Sequence, residues 1–356
     1  MTATSSHDRA TGARRWAGAL VLGGGLLALV ACGSSSSPAG PGTSGSIAPG
    51  STVRPSGTSG TSGTTTAAGR TGATTATGAA WTPTVHGPAT VALPTAPVDQ
   101  ASPKGTNGVA WDGQRLWVAD LAGGEILAVD PRDGRILGRF GAAQGVTKPD
   151  DLAVGPDGAV YWTGFEDGVV GRLGPDGTST TLSQVGAGAN PIAFGPDDSL
   201  YVGRAVTADG LYRIDPRGGA TPVTVAESVG NVNAFAFGPD GAIYGPSFQD
   251  QKGSLVRIDP QTGQVTRIVE VPGFPSAVKF GVDGRAYVLS SAPVGVVAVD
   301  LATRQVTPYA TPATPAVDNI ASDGDGSFVV SSFTGPQLSV IPPAGGAVRT
   351  ITIGQG

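Results

Sequence analysis

A short phrase that recurs six times constrains the fold of this chain more than any other feature. Each copy begins with a small polar residue and continues into an apolar run, and successive copies start 43, 40, 43, 43 and 42 residues apart. The six starting residues are Asn107, Asp150, Asn190, Asn233, Ser276 and Asp318. A four-stranded unit that repeats about every 40–45 residues is typical of β-propeller blades. Six copies therefore predict six blades.

The residues between the repeat starts predict four antiparallel strands in each blade. The first copy, Asn107–Phe140, contains four apolar-rich runs separated by turn residues. Later copies carry turns such as Gly155-Pro156-Asp157-Gly158, in which glycine, proline and aspartate each favour a chain reversal. We expect an all-β, six-bladed β-propeller over residues 89–356. Residues 348–353 would form the last strand of blade six, and we expect Thr90–Leu93 to pair with its outer edge and protect it.

The N-terminal segment, residues 1–31, predicts export and lipid attachment. A leader with Arg14 and Arg15 precedes the apolar run Trp16–Ala31, which is short and glycine-rich for a membrane span. The run ends in Leu-Val-Ala before Cys32, which resembles a bacterial lipobox. Acylation of Cys32, for example with palmitate, would hold the protein on the outer face of the cytoplasmic membrane, in the cell envelope. The alternative is an ordinary signal peptide with an incidental cysteine.

The segment 32–88 begins with the lipidated cysteine and is predicted to be a disordered linker. From residue 33 onward it consists mainly of Ser, Gly, Thr, Ala and Pro, with two arginines and no acidic residue. Such a composition buries too little apolar surface to offset the entropy of the chain. As a flexible coil it would reach roughly 40 Å and carry a folded head away from the membrane.

Charge and side-chain inventory exclude several classes of function. The formal net charge is −5, and removal of the leader would leave −7, which is unfavourable for nucleic-acid binding. The single cysteine excludes an intrachain disulfide. The two histidines, His7 and His86, fall in the predicted leader and linker, so we expect no imidazole in the propeller. We expect a monomer.

The polar residues that open the repeats are candidate metal ligands. In a propeller the first strand of each blade lines the central channel, so these side chains would meet at one mouth. Carboxylate and amide oxygens suit a hard cation, with Ca²⁺ as the first choice. The predicted ligands are Asn107, Asp150, Asn190, Asn233 and Asp318. The alternative is that these residues cap their own loops by bonding to the backbone, with no metal.

Further polar and aromatic residues have expected positions around this channel. Arg204 is a candidate to bind a carboxylate or phosphate of a ligand. Other charged residues are expected to form a solvated rim at the same mouth: Asp120, Glu166, Asp167, Asp250 and Lys252. Aromatic residues on the second strands are expected to pack between blades rather than to bind ligand: Trp117, Tyr161, Trp162, Tyr201, Tyr244 and Tyr287.

Two phrases resemble those of a known propeller group. Thr106-Asn107-Gly108-Val109-Ala110 and Pro149-Asp150-Asp151-Leu152-Ala153 are similar to the Pro-Asn-Gly-Leu-Ala and Pro-Asp-Gly-Leu-Ala phrases of gluconolactonase, senescence-marker-protein and luciferin-regenerating-enzyme-like propellers. NHL-repeat and strictosidine-synthase-like propellers share these phrases. The resemblance implies a divalent metal held by Asn107 and Asp150, with Asp150 as general base. The group's Glu-Gly-Pro phrase has no counterpart, and Asp151 replaces the glycine.

Two functional classes follow from these patterns. The first is a head that binds a small molecule, a glycan or a protein partner at the channel mouth, with or without a divalent cation. The second is a metal-dependent lactone or ester hydrolase, in which Asp150 or Asp318 would be the catalytic base. The missing glutamate favours the binding head, whereas the Asn-Gly and Pro-Asp phrases favour the enzyme.

Overall fold

The computed structural model describes residues 20–22, 25–27, 86–247 and 252–354. Leu20–Leu22 and Gly25–Leu27 form a two-stranded sheet of their own. The compact unit that extends to the C-terminus contains six four-stranded antiparallel sheets, each built from consecutive strands. This arrangement confirms the six-bladed propeller. No helix in the described residues is long and apolar enough to cross a membrane.

The strands of each blade run in order from the channel to the outer edge. The innermost strands of blades one to six are Val109–Trp111, Pro149–Val154, Ala189–Phe194, Ala236–Phe237, Pro275–Phe280 and Val317–Ser322. The second strands are Leu116–Asp120, Val160–Gly164, Leu200–Arg204, Ile243–Ser247, Ala286–Ser291 and Phe328–Ser332. The third strands are Glu125–Val129, Val169–Leu173, Gly210–Ile214, Ser254–Ile258, Val294–Val299 and Gln337–Ile341. The outermost strands are Ile136–Phe140, Ser179–Gln184, Val223–Ala226, Val265–Glu270, Val306–Ala310 and Arg349–Thr352. Two single 3₁₀ turns, Ala142–Gln144 and Pro343–Gly345, complete the regular structure of the described chain.

The predicted turn residues close the hairpins. In blade two, Gly158 donates its N–H to the carbonyl of Gly155 (2.9 Å) and adopts a φ of 74°, which glycine tolerates without steric cost. The Asp157 carboxylate accepts the N–H of Ala159 (3.1 Å), so the side chain stabilises the turn in the manner expected of aspartate. The turns between the first and second strands define what we call the lower face. The loops that lead into the first strands lie on the opposite, upper face.

Aromatic side chains pack between neighbouring blades, as predicted. Rings from second strands meet a phenylalanine of the next blade at steep angles, with centroids 4.9 Å apart for Tyr161–Phe194 and 5.3 Å apart for Tyr244–Phe280. Edge-to-face pairs of this kind add to the free energy gained by burial. Trp117 and Trp162 are fully buried. These ring pairs therefore hold neighbouring blades against each other.

The ring closes through side-chain and backbone contacts between blades six and one. The N–H of Thr106 donates to the carbonyl of Ser332 (2.8 Å), and the N–H of Ser332 donates to the Thr106 hydroxyl (2.8 Å). The buried Ser331 hydroxyl donates to the Asn107 carbonyl (2.5 Å) and accepts the Asn319 N–H (3.0 Å). Thr163 makes the equivalent connection between blades two and three. Blade six supplies its own fourth strand, so closure needs no strand from the N-terminus.

The expected pairing of Thr90–Leu93 with blade six is wrong. Thr90 donates its N–H to the carbonyl of Gly158 (2.8 Å), and Ala92 donates to that of Pro175 (2.9 Å). Both acceptors belong to turns of blade two, and Leu93 packs against the core shared by blades one and two. The segment therefore runs along the lower side of these two blades. The outer edge of blade six is the strand Arg349–Thr352, which no segment of the described chain extends.

Candidate ligand site at the channel mouth

Irregular strand pairing at the start of the inner strands aims polar side chains into the channel. In blades two, three, five and six, the register between the first and second strands shifts at this point, for example between Pro149 and Leu152. Regular pairing would direct neighbouring side chains to opposite sides of the sheet, whereas a bulge can redirect them. Asp150 and Asp151 are both buried next to the channel.

Three of the predicted residues meet at the upper mouth. The amide of Asn107 donates to a carboxylate oxygen of Asp318 (3.2 Å). Asp150 lies near both residues, because the charge of Asp318 raises the pKa of Asp150 and the Asn107 amide opposes that rise. The structure thus brings blades one, two and six together at one point. The side chains come from positions up to 211 residues apart in the chain.

Burial and the charges of neighbouring carboxylates raise the pKa of both carboxyl groups. Desolvation, followed by the charges of Asp318 and Asp151, raises the pKa of Asp150 well above its usual range. Desolvation and the charge of Asp151 raise the pKa of Asp318 to about 7, against the opposing hydrogen bond from Asn107. No Lys or Arg of the described chain forms an ion pair with either group. A proton or a cation between these carboxyl groups would therefore stabilise the site.

A second polar layer, missed by the sequence analysis, lies directly below this pair. Asp151 accepts hydrogen bonds from the Leu152 N–H (2.8 Å) and from the Asn319 side-chain amide (2.8 Å). Asn319 in turn accepts the N–H of Ile320 (2.7 Å). Burial raises the pKa of Asp151 to about 6, and the nearby charge of Lys279 opposes that rise. The Asp150-Asp151 and Asp318-Asn319 dipeptides were the available signal, because each places two polar residues where the other repeats have one.

The alternative expectation was that the residues opening each repeat bond to their own backbone. Such bonds occur, but they are made by the next residue along the chain. Asp151 and Asn319 bond to the backbone N–H of the residue that follows each of them. Within the described residues, the opening side chains Asn107, Asp150 and Asp318 make no such bond. Backbone capping therefore describes the second residue of the repeated phrase, as in Asp151 and Asn319, rather than the residue that opens it.

The other opening residues line the ring without joining this cluster. Asn190 is buried, and its carbonyl accepts the Thr163 hydroxyl (2.7 Å). The buried hydroxyl of Ser276 has no hydrogen-bond partner within the described chain. Asn233 precedes the short inner strand Ala236–Phe237 of blade four. The structure supports a close group of Asn107, Asp150 and Asp318, with Asn190 and Asn233 elsewhere in the predicted column.

One prediction about charged rim residues needs correction, and another stays a prediction. Arg204 donates from its guanidinium Nε to the carbonyl of Ala187 (3.0 Å), and its role in binding a ligand stays a prediction. Asp120 is buried and accepts the N–H groups of Gly123 (2.8 Å) and Lys104 (2.9 Å), so it is a turn-stabilising residue rather than a solvated one. Asp250 and Cys32 lie outside the described residues.

The oxygen atoms at the mouth could form a small number of bonds to a hard cation. Two carboxyl groups and an amide supply oxygen ligands of the kind that Ca²⁺ prefers, and solvent can complete the shell from the open side. In the part of the chain that the structure describes, no three residues among His, Cys, Asp and Glu converge as a metal-binding group. A cation at the mouth would therefore have only two carboxyl ligands, Asp150 and Asp318, together with the amide of Asn107.

Below the polar layers, the channel contains a cavity of about 150 Å³. His86 reaches its wall and meets Phe194 edge to face, with ring centroids 5.5 Å apart. The expectation that no imidazole belongs to the propeller is therefore wrong. The segment before Thr90 follows the lower face, which brings a residue assigned to the linker into the channel.

Comparison with known proteins supports the fold and leaves the family open. A family model described as a repeat of unknown function (DUF6923) matches residues 162–282. No curated protein matches the chain. Similar solved structures include a streptogramin B lyase, with 17% identity, 74% of this chain and 86% of that chain covered and a TM-score of 0.53.

Two further solved structures belong to the propeller group that the sequence resembles. A gluconolactonase from Xanthomonas campestris has 16% identity, with 68% of this chain and 86% of that chain covered and a TM-score of 0.55. A calcium-binding protein, regucalcin, from Agrobacterium tumefaciens has 16% identity, with 65% of this chain and 83% of that chain covered and a TM-score of 0.53. At these identities the likeness establishes the six-bladed propeller fold alone.

Proposed function

We propose that this propeller is a binding head whose upper channel mouth takes a small, oxygen-rich ligand through a divalent cation, Ca²⁺ before others. The observation that carries the proposal is the group formed by buried Asp150 and half-buried Asp318, with the amide of Asn107 hydrogen-bonded to Asp318. A small molecule, a glycan or an acidic group of a protein partner would reach the cation from the open side of the mouth. The regucalcin structure, described as calcium-binding, supports this choice of cation.

The electrostatics of the pair explain why a cation would bind. Two adjacent carboxylates that are removed from water cannot both ionise without a large cost. A divalent cation offsets both charges and replaces the lost hydration with direct oxygen contacts. Because the carboxyl pKa values are raised, cation binding releases protons near neutral pH, and affinity rises with pH.

Titration calorimetry with CaCl₂, on the mature chain freed of metal by EDTA, tests this proposal. We expect saturable binding in the micromolar to millimolar range, with proton release at pH 7. Asp150→Asn and Asp318→Asn should each weaken binding at least about tenfold, because each removes a charged ligand. Asp325→Asn removes an equal charge at an exposed turn and serves as the control. Equal affinity in all four proteins would refute the site.

A second candidate function, lactone or ester hydrolysis, is favoured by one specific observation. The pKa of Asp318 is raised to about 7, which is where a general base is most effective at neutral pH. Asp150 is the alternative base, as the resemblance implies. A bound divalent cation would polarise the substrate carbonyl. The gluconolactonase from Xanthomonas campestris supports testing this reaction class.

A panel of lactones and esters, assayed with Ca²⁺, Mg²⁺, Mn²⁺ and Zn²⁺, distinguishes the two functions. If the protein is a hydrolase, Asp150→Asn or Asp318→Asn should lower turnover by about two to four orders of magnitude, the usual weight of general-base catalysis. Asn233→Asp should have a milder effect, since it retains an oxygen donor. Calcium binding without hydrolysis of any member would leave the binding head as the function.

We also propose that the head is exported and tethered to the cell envelope through Cys32. The proposal rests on the leader and the Leu-Val-Ala-Cys sequence. Cys32→Ala should give an uncleaved precursor that takes up no labelled fatty acid, whereas Ser34→Ala should be processed normally. Normal processing and detergent partitioning of the Cys32 variant would contradict lipid anchoring.

A further inference from the structure

The lower half of the channel breaks the repeat at one position. Five inner strands carry alanine at the fourth residue of the repeated phrase, namely Ala110, Ala153, Ala193, Ala236 and Ala321. Blade five carries Lys279 instead, and all six residues line the same cavity. A ring of methyl groups is thus interrupted by one long cationic side chain.

The Lys279 ammonium lacks a close anionic partner. No ion pair within 4.0 Å forms between Lys279 and a carboxylate of the described chain. Burial lowers the pKa of Lys279, and the charge of Asp151, in the polar layer above, opposes that change. Lys279 is half-buried. A partly desolvated cation without a hydrogen-bonded counter-ion is costly, so an anion next to it would stabilise the protein.

A second nitrogen faces the same space. The Nε2 atom of His86 is buried and has no hydrogen-bond partner in the described chain. Its side chain lines the cavity at the lower end, where it contacts Phe194. Buried polar atoms in folded proteins almost always have a partner, so an orphaned nitrogen beside a cavity indicates a missing one.

The cavity is lined by both polar and apolar atoms, and the side chains nearest its lower end are mostly apolar. The last residues of the inner strands surround Lys279 with the side chains of Trp111, Val154, Phe194, Phe237 and Phe280. Ser322 is the sixth member of this layer, and among the described residues no carboxylate lines the cavity. A cavity of about 150 Å³ is large enough for a benzene-sized body.

We propose that this cavity is a second site, which binds a small apolar monocarboxylate from the lower face. The carboxylate would accept hydrogen bonds from the Lys279 ammonium, and the apolar body would lie among the aromatic side chains. Burial lowers the pKa of His86, so the second polar contact would come from the Nε2–H of the neutral imidazole, or from a water held by it. The site is separate from the cation site in residues and in charge preference.

The probes are benzoate, cyclohexanecarboxylate and hexanoate, measured on the mature chain by ligand-observed NMR and calorimetry with EDTA present. EDTA keeps the upper site free of metal, so this result does not depend on the proposed calcium function. We expect at least one probe to bind, and the neutral isostere benzamide to bind at least about tenfold more weakly than benzoate. Failure of all three carboxylates to bind would overturn the proposal.

Matched variants locate the binding. Lys279→Ala installs the residue that the other five blades carry and should weaken carboxylate binding about ten- to a hundredfold, the weight of a hydrogen bond to a charged group. Lys279→Met keeps the length of the stem and should have the same effect, which separates loss of charge from loss of packing. Lys148→Ala changes an exposed lysine and should bind like the wild type. Unchanged affinity in both Lys279 variants would exclude this cavity as the site.

Discussion

Substitution of Asp318 by asparagine should stabilise the propeller at alkaline pH. The asparagine keeps the size of the side chain and an oxygen that can accept the hydrogen bond from Asn107, and it mimics the protonated acid. In the wild type, the pKa of Asp318 is raised to about 7 in the folded state, compared with a usual value of 3.8. The folded protein therefore binds this proton more tightly than the unfolded chain does.

The direction of the pH dependence follows from that difference. Below about pH 4 the carboxyl group is protonated in both states and contributes nothing to the difference in free energy. Between pH 4 and 7 the folded state holds more protons than the unfolded state, so stability falls as the pH rises. Three pKa units correspond to about 4 kcal/mol, and access of channel water to Asp318 reduces this, so we expect about 2–4 kcal/mol at pH 8.

Urea unfolding at a series of pH values, with EDTA present, measures this effect. Asp318→Asn should match the wild type at pH 4 and exceed its free energy of unfolding by about 2–4 kcal/mol at pH 8, or roughly 4–16 °C in melting temperature. Asp325→Asn should follow the wild type throughout. Addition of Ca²⁺ at pH 8 should narrow the gap, because the cation stabilises the wild-type pair.

Two results would refute this reasoning. If Asp318→Asn were no more stable than the wild type at pH 8, the carboxyl group would be ionised at no cost, and its desolvation next to Asp151 would be wrong. If the gain were equally large at pH 4, its origin would be packing rather than ionisation.

The remaining predictions concern the fold. Ser331→Ala should destabilise the ring by about 1–3 kcal/mol in chemical unfolding, because a buried carbonyl and a buried N–H lose their shared partner; Ser331→Thr, which keeps the hydroxyl, should cost less, and equal losses would contradict the hydrogen-bond account. Gly168→Ala should lower the melting temperature, because a Cβ would lie 2.3 Å from the Gly186 carbonyl carbon and φ is 74°; an unchanged value would contradict that contact. A chain that begins at residue 94 should melt below one that begins at residue 86, because it loses buried Val91 and two backbone hydrogen bonds to blade two.

The sequence alone determined the architecture of this protein. A repeat period of about 42 residues, with Gly, Pro and Asp at the turns, depends on interactions within one blade. The aromatic column was also readable, because Tyr161 and its counterparts occupy the same position in successive copies. The convergence of Asn107, Asp150 and Asp318 followed from the first strands lining one channel.

Only the tertiary structure decided which side chains line the channel and which partners they contact. Asp151 and Asn319 are 168 residues apart, and their hydrogen bond exists because the ring closes and bulges turn both side chains inward. The place of His86 depends on a segment outside the repeats, whose path is set by backbone contacts with the turns of blade two. Lys279 was visible as a break in a column of alanines, but its meaning depends on the cavity and on the absence of a close carboxylate among the described residues. Features that all blades share are encoded by local interactions within each repeat. Features found in single blades depend on ring closure, because it brings together residues that are far apart in the chain.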